Sequence, residues 1–201
     1  MPTKAPVYDR VASRYDRWMR PLERAGLGRL RAAALAEVGA AESVLEVGAG
    51  TGANFPFYPA GARAACAEPS GEMLLRARGR AERPAGAALV RAFAERLPFA
   101  DDSFDAAFAT LVFCSVASPA DGLRELRRVV RAGGRVVLLE HVRPPGALGY
   151  AFDALNLLTA PLFEDHFNRR TADEARAAGL LVGRVERHLF GVVQLIVCRV
   201  A

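Results

Sequence analysis

The sequence predicts an α/β protein with a doubly wound, mostly parallel sheet of seven strands that ends in an antiparallel hairpin. Short apolar runs alternate with helical patterns between residues 44 and 140, the order typical of a parallel βαβ sheet. The first run, Val44–Val47, leads directly into a glycine-rich turn. The last two runs are separated by little more than Leu189 and Phe190, and so short a link joins only antiparallel strands.

Each element has its own local signal. Helical spacing over residues 6–20 and 22–38, with Pro21 between them, predicts two helices that form an N-terminal cap. Strands are predicted at Val44–Val47, Arg63–Ala67, Ala87–Arg91, Phe104–Thr110, Arg135–Glu140, Leu180–His188 and Gly191–Arg199. Further helices are predicted after Gly52, at Ser70–Arg80 with Ser70 as N-cap, at Pro119–Arg131 before Gly133-Gly134, and at Thr171–Ala178 before Gly179.

Length and composition predict one globular domain. The chain has 201 residues, enough to bury a core without disulfides or a metal, and 52% hydrophobic residues argue against extensive disorder. No apolar run approaches the ~20 residues that a membrane helix needs, and the first residues lack an apolar signal core. Cys66, Cys114 and Cys198 are odd in number and lack metal-ligand spacing. We therefore expect a cytoplasmic protein with reduced thiols and no metal site.

Positive charge is concentrated near the N-terminus. The net charge is +5, and the segment Lys4–Arg31 contains eight basic and three acidic residues. Such a segment is attracted to an anionic membrane surface, an acidic substrate or a nucleic acid. Solvated helix faces would explain it equally without a partner. No zinc finger or aromatic-interleaved basic run is present, so we expect no nucleic-acid partner.

The glycine turn leaves two kinds of cofactor open. Gly48-x-Gly50-x-x-Ala53 fits the relaxed dinucleotide fingerprint, and Glu68 follows the first glycine by 20 residues, where a ribose-binding acid is expected. An NAD(P)-dependent oxidoreductase and an S-adenosylmethionine (SAM) enzyme are both compatible with it. The terminal antiparallel hairpin favours SAM, because that ending is the plan of SAM methyltransferases.

Five landmarks carry a family resemblance. They are Tyr8–Asp16, the glycine run Val44–Asn54, Glu68–Leu74, Glu95–Asp105 and Arg124–Gly134. In this order and spacing the chain resembles the class I SAM-dependent methyltransferases of the methyltransferase type 11 group. That group includes quinone-biosynthesis C-methyltransferases, bacterial phosphatidylethanolamine N-methyltransferases and thiol methyltransferase-like proteins. The resemblance implies a Rossmann-like fold, SAM as cofactor and S-adenosylhomocysteine as product.

The resemblance also divides the chain into regions. Residues 1–201 would form one methyltransferase domain. Within it, residues 1–42 would be the helical cap, 43–140 the SAM-binding core and 141–170 a lid on the acceptor side. Residues 171–201 would supply the last helix and the terminal hairpin.

The resemblance implies a cofactor site around the glycine turn. Bare glycine backbone would approach the methionine and ribose portions of SAM, and the two carboxylate oxygens of Glu68 suit both ribose hydroxyls. Phe93 stands where close relatives often have an aspartate for the adenine amino group. The implied contacts are Tyr8, Tyr15, Glu46, Gly48, Ala49, Gly50, Thr51, Gly52, Glu68, Pro69, Ser70, Met73, Phe93, Ala94, Glu95, Thr110 and Leu111. Glu46 as a brace of the loop, Met73 as a core residue and Tyr8 with Tyr15 as cap packing are the structural alternatives.

The first candidate catalytic group lies directly after the fifth strand, and the second lies in the N-terminal cap. His141 is the first candidate general base, because ligands bind at the C-terminal edge of open α/β sheets. Tyr15 is the second catalytic candidate, and His166 with Glu164 and Asp165 forms a weaker cluster.

The acceptor is expected to be a small or lipid-like molecule. The segment Ala147–Phe163 is mostly apolar, with Asp153 as its sole charge, and with the basic N-terminus it could dock at a membrane surface. The first specific hypothesis is N-methylation of a phosphatidylethanolamine-type head group. Quinone-ring C-methylation, thiol S-methylation, methylation of a secondary metabolite and a non-catalytic binding module are the alternatives.

Overall fold

The computed structural model describes residues 7–163, 166 and 168–201. Its strands are β1 (Ser43–Val47), β2 (Arg63–Glu68), β3 (Ala88–Arg91), β4 (Phe104–Thr110), β5 (Val130–His141), β6 (Leu181–His188) and β7 (Val193–Arg199). Its α-helices are α1 (Val7–Leu22), α2 (Gly28–Val38), α3 (Gly71–Arg78), α4 (Pro119–Val129), α5 (Ala147–Phe163) and α6 (Thr171–Ala177). No helix in the described part of the chain is both long and apolar enough to cross a membrane.

All seven strands form one sheet, in the order β3-β2-β1-β4-β5-β7-β6. Strands β1 to β5 pair in parallel, and β7 pairs antiparallel with both β5 and β6. The predicted fold class is therefore confirmed, including the terminal hairpin. Strand order reverses at β1 and β4, so the C-terminal ends of these two neighbours mark the expected ligand crevice.

Apolar layers cover both faces of the sheet. One contains Leu45 and Leu138 with Leu123 and Leu126 from α4, all fully buried. The other packs Leu35 and further residues of α2 against the opposite face. Because both faces are covered, function is confined to the strand ends and the loops that follow them.

The N-terminal cap differs from the prediction. Pro21 does not separate two helices, since α1 continues to Leu22. The break comes at Gly26, whose φ of 130° lies within a π-helical turn over Glu23–Leu27. Proline removes only one N–H donor from a helix end, whereas a positive φ redirects the chain, and glycine permits it without steric cost.

Two further boundaries were predicted wrongly. After Gly52 the chain makes only a short 3₁₀ turn, Phe55–Phe57, because Pro56 and Pro59 remove donors and disfavour helix at the residues before them. Helix α4 ends at Val129, and β5 already begins at Val130 and runs through the two glycines. The pairing of β4 with β5 shifts register there, and Gly134 accepts the close approach of the β4 backbone at Asp105.

Candidate functional site

The glycine turn forms an open cradle at the C-terminal end of β1. Gly48, Gly50 and Gly52 all have positive φ, at 70°, 54° and 84°. A side chain at Gly48 would overlap Val112, and one at Gly52 would overlap the ring of Phe55. A Cβ built on Gly50 meets no protein atom within 4 Å. The outer two glycines are thus required by the protein's own packing, while the middle one borders free space that a ligand can occupy.

Glu68 lies at the end of β2, where the sequence predicted it. Its carboxylate accepts the backbone N–H of Gly50 and that of Ser70, each at an N–O distance of 2.9 Å. Burial raises the pKa of Glu68, and these two hydrogen bonds oppose that rise. Each oxygen keeps a second lone pair, so the geometry is compatible with ribose hydroxyls as further donors. Ribose binding by Glu68 stays a prediction.

Glu46 is wholly buried beneath the turn. It accepts a hydrogen bond from Asn54 Nδ2 at 2.5 Å and another from the Tyr58 hydroxyl. Burial raises its pKa, and the bonds from Tyr58 and Asn54 and the charge of Arg31 oppose the shift. Both oxygens are thus bonded within the protein, which favours the structural alternative of a carboxylate that braces the loop.

Arg31 is the counterion of this buried cluster, and sequence reasoning missed it. Its side chain is only 5% exposed, and Nη1 donates to Thr110 Oγ1 at 2.5 Å and to Asn54 Oδ1 at 3.1 Å. Nε pairs with Glu23 at 2.9 Å. The available signal was its spacing from Leu27 and Leu35, because positions four apart share one helix face and that face is buried.

Helix α1 lies over the glycine turn and the start of α3. Asp16 accepts a hydrogen bond from Thr51 Oγ1 at 2.6 Å, and Arg80 bonds to both residues. Asp9 accepts hydrogen bonds from the Ser70 hydroxyl and, at 3.3 Å, the N–H of Glu72. Both aspartates fall within the landmark Tyr8–Asp16, but the sequence pattern assigns a role to neither. Asp16 is paired with Arg80 at 2.7 Å, so Asp9 and Glu68 supply the negative charge beside the cradle, which suits a cationic ligand.

The two predicted tyrosines of α1 contact each other. The rings of Tyr8 and Tyr15 meet edge to face, with their centroids 6.1 Å apart. This contact favours the packing alternative for the pair. A contact of either tyrosine with the cofactor, and the catalytic role of Tyr15, stay predictions.

The same arrangement disfavours a dinucleotide. A nicotinamide or flavin enzyme uses N–H groups of the glycine turn and the N-terminus of the helix that follows to bind a pyrophosphate. Here the N–H of Gly50 already donates to the Glu68 carboxylate, and the turn is followed by 3₁₀ structure in place of an α-helix. A pyrophosphate at Gly50 would therefore face an anionic carboxylate.

The loop after β4, where the resemblance predicts the start of the acceptor pocket, has a strained backbone. Leu111 follows Thr110 with φ +58°, a conformation that costs a non-glycine residue about 1–3 kcal/mol. Buried Glu140 holds the next residues by accepting the N–H groups of Val112 and Phe113, with N–O distances of 3.1 Å to Oε2. Burial raises the pKa of Glu140 to about 8, against the effect of these bonds.

Glu95 holds the far end of the loop that joins β4 to α4. Its Oε1 accepts the N–H of Ala117 at 3.0 Å and that of Ser118 at 3.2 Å, just before α4. The structure thus directs the carboxylate of Glu95 to the entry of α4. Its predicted contact with the cofactor stays a prediction.

His141 ends β5 and stacks on Phe152 of α5, with ring centroids 5.7 Å apart and planes at 24°. Burial lowers the pKa of His141 to about 4. The imidazole is therefore neutral at pH 7 but a weaker base than an ordinary histidine. His166 donates its backbone N–H to Cys114 O at 2.8 Å, whereas Glu164 and Asp165 lie outside the described residues.

The remaining predicted contacts are divided between core and surface. Met73 is 2% exposed and donates its N–H to the Ser70 hydroxyl, so Ser70 is the N-cap as predicted and Met73 packs in the interior. Ala49 and Ala94 are buried, whereas Phe93 is 40% exposed. Pro69 accepts a hydrogen bond from Arg91 through its carbonyl. None of these observations tests a cofactor contact.

The chain is similar to known methyltransferases. Residues 45–138 match the family described as methyltransferase domain. The chain is 38% identical over 107 residues to thiol S-methyltransferase TMT1B of Mus musculus, covering 51% of this chain and 44% of that protein. It is 39% identical over 155 residues to demethylmenaquinone methyltransferase of Beutenbergia cavernae, covering 75% of this chain and 62% of that protein. The chain thus spans about half the length of the curated relatives it matches.

A solved structure shows the same fold over the whole chain. A SAM-dependent methyltransferase from Thermotoga maritima superimposes with a TM-score of 0.68 at 23% identity, covering 97% of this chain and 99% of that chain.

Proposed function

We propose that this chain, whose residues 45–138 match the methyltransferase domain family, is a class I SAM-dependent enzyme that transfers a methyl group from SAM to a small apolar thiol bound between β4, β5 and α5. The assignment of SAM as the cofactor is carried by a single observation. This is the free space at Gly50, next to Glu68 and beside α1. The acidic groups around this space suit SAM, which is a cation. When bound, SAM supplies an electrophilic methyl group on a sulfonium.

The chain's residues would hold the cofactor from three sides. The glycine backbone lets the ligand approach the turn closely, and Glu68 provides hydrogen-bond acceptors at the end of β2. Asp16 of α1, bonded to Thr51, closes the third side. For such a displacement, aligning the nucleophile and excluding water supply several kcal/mol of rate enhancement without an acid or base.

The basicity of the site favours a thiol acceptor. A ring carbon or phenol requires deprotonation, whereas a thiol with a pKa near ~8.5 already contains a few per cent thiolate at neutral pH. His141 is a weak base because burial lowers its pKa to about 4, and Glu140 is bonded to two backbone N–H groups. Phe152 of α5, which stacks on His141, suits an uncharged body on the acceptor.

The relatives support two of the acceptor hypotheses. The mouse protein is named as a thiol S-methyltransferase, and the bacterial relative, which matches over 75% of this chain, acts in its name on demethylmenaquinone. Quinone-ring C-methylation is therefore the second candidate. Neither name supports the phosphatidylethanolamine hypothesis, which stays a prediction.

The test is a product assay with three acceptors in parallel. Purified protein is incubated with SAM and either thiophenol, an apolar thiol that is largely thiolate at neutral pH, a demethylated benzoquinol or phosphatidylethanolamine in mixed micelles, and methylated products are measured by mass spectrometry. We expect the methyl thioether. Methylation of the quinol or amine alone would refute the thiol assignment, and failure to bind S-adenosylhomocysteine by calorimetry would refute the cofactor site.

His141→Gln separates the two leading acceptors. With a thiol acceptor, the variant should lose less than about tenfold in maximal rate and keep the pH profile between pH 6 and 8. With an acceptor that needs general-base catalysis, the loss should reach ~10²-fold or more. The rate at several pH values, with S-adenosylhomocysteine affinity as control, gives the answer.

A further inference from the structure

Helix α1 separates its charges by sign. Its two acids, Asp9 and Asp16, point at the body and bond to residues of the cofactor cradle. Its arginines are all exposed: Arg10, Arg14, Arg17 and Arg20. With 3.6 residues per turn, Arg10, Arg14 and Arg17 fall on one outward row. That face of the helix therefore carries only positive charge.

An apolar row borders these arginines. Trp18 is 53% exposed and Leu22 is 56% exposed, and their spacing of four residues puts them side by side. A helix with arginines on its polar face and Trp and Leu beside them is typical of segments that lie in a lipid interface.

A second exposed apolar surface comes from α5 and the turn between β6 and β7. Among the side chains of α5 that the structure describes, the outward row is exposed and uncharged: Ala147, Tyr150, Ala151, Ala154 and Leu157. In the turn, Leu189 is 60% exposed and Phe190 is 93% exposed. Both have positive φ, at 50° and 58°, so the backbone holds two large apolar side chains outward in a costly conformation.

Both surfaces lie at one edge of the sheet. Helix α1 contacts Thr51 and Ser70, which follow the C-terminal ends of β1 and β2. The β6–β7 turn lies at the C-terminal end of β5, where His141 pairs with Val193. A Cβ at Gly191 would contact Pro145, which precedes α5. The exposed apolar groups therefore surround the edge that holds the proposed site.

We propose that this edge docks on an anionic lipid surface through α1, α5 and the Leu189–Phe190 turn. Charge complementarity selects the occupant, since a row of arginines attracts anionic head groups and the adjacent Trp18 and Leu22 then enter the interface. A nucleic acid would use the arginines but not the apolar rows of α5. Docking in this orientation would bring the acceptor opening to the bilayer.

Trp18 is the only tryptophan in the chain, so its fluorescence reports on this surface directly. We expect a blue shift when the full chain is mixed with phosphatidylcholine–phosphatidylglycerol vesicles, and none with phosphatidylcholine alone. The shift should weaken as salt rises, because the Debye length is ~8 Å at physiological ionic strength. Vesicle co-sedimentation measures the partition coefficient in parallel.

Matched variants at the opposite edge of the sheet provide controls. Arg17→Ala should lower the partition coefficient about fivefold. The control, Arg63→Ala at an exposed position at the start of β2, should leave the partition coefficient unchanged. Phe190→Ser should likewise weaken partition, whereas Leu181→Ser, at the far end of β6, should not. All variants should keep the S-adenosylhomocysteine affinity of the parent, which separates docking from cofactor binding.

Three results would overturn the proposal. One is the absence of both spectral shift and co-sedimentation with anionic vesicles. Another is a shift produced by single-stranded RNA but not by vesicles. The third is a dimer in solution that Phe190→Ser dissociates, which would assign the apolar surface to a second copy of the chain.

Discussion

The sharpest test of the cofactor cradle is Gly50→Ala compared with Gly61→Ala. Both glycines have positive φ, 54° and 77°, and at neither would a Cβ meet a protein atom within 4 Å. Alanine in this conformation costs about 1–2 kcal/mol, and the less flexible unfolded chain offsets about 0.4–1 kcal/mol. The two variants should therefore lose the same small stability, about 1 kcal/mol or roughly 2–4 °C in Tm.

Binding should distinguish the two variants. Gly61 lies in the turn before β2, at the edge of the sheet away from the cradle, whereas a methyl group at Gly50 enters the space assigned to the ligand. Steric overlap of one methyl group costs about 1–3 kcal/mol, which is about 5- to 160-fold in Kd. Isothermal calorimetry with S-adenosylhomocysteine measures this difference. Equal Kd values for two folded variants would refute the assignment of the cradle.

Three further predictions concern carboxylates and their partners. Glu68→Gln should weaken S-adenosylhomocysteine binding by about 1.5–3 kcal/mol, and calorimetric affinity within error of the parent would contradict a ribose contact. Arg31→Met should cost about 3–5 kcal/mol in urea unfolding because Glu23 loses its ion-pair partner and the buried Thr110 and Asn54 oxygens lose their donor. Arg135→Met, which removes one bond to the far end of α2, should cost under about 1.5 kcal/mol, and equal losses would refute the special role of Arg31. The pKa of Glu140 is about 8 in the folded protein and about 4.5 in the unfolded chain, so the folded state favours the protonated carboxyl. Its contribution to stability is therefore full below pH 4.5 and is lost as the pH rises through 8. Glu140→Gln should flatten that part of the pH–stability curve, and an unchanged slope would contradict the raised pKa.

The glycine turn and Glu68 could be predicted from the sequence because their signals are local in the chain. Gly48, Gly50 and Gly52 need positive φ, and Glu68 ends the neighbouring strand, so spacing alone placed them together. The antiparallel hairpin followed from the short link at Leu189–Phe190 for the same reason.

Contacts between distant segments could not be predicted. Arg31 and Thr110 are 79 residues apart, and only the packing of α2 on the sheet brings their side chains to 2.5 Å. The low pKa of His141 likewise arises from burial, which no local pattern encodes.

The sequence by itself determined the fold class with its terminal hairpin, the glycine cradle and the position of Glu68, because backbone sterics and short strand connections depend on neighbouring residues. Only the tertiary structure decided which charges are buried, which acids of α1 face the cradle and which apolar side chains remain outside. Those properties depend on desolvation and on contacts among elements far apart in the chain, which exist only once the sheet and its helices have packed.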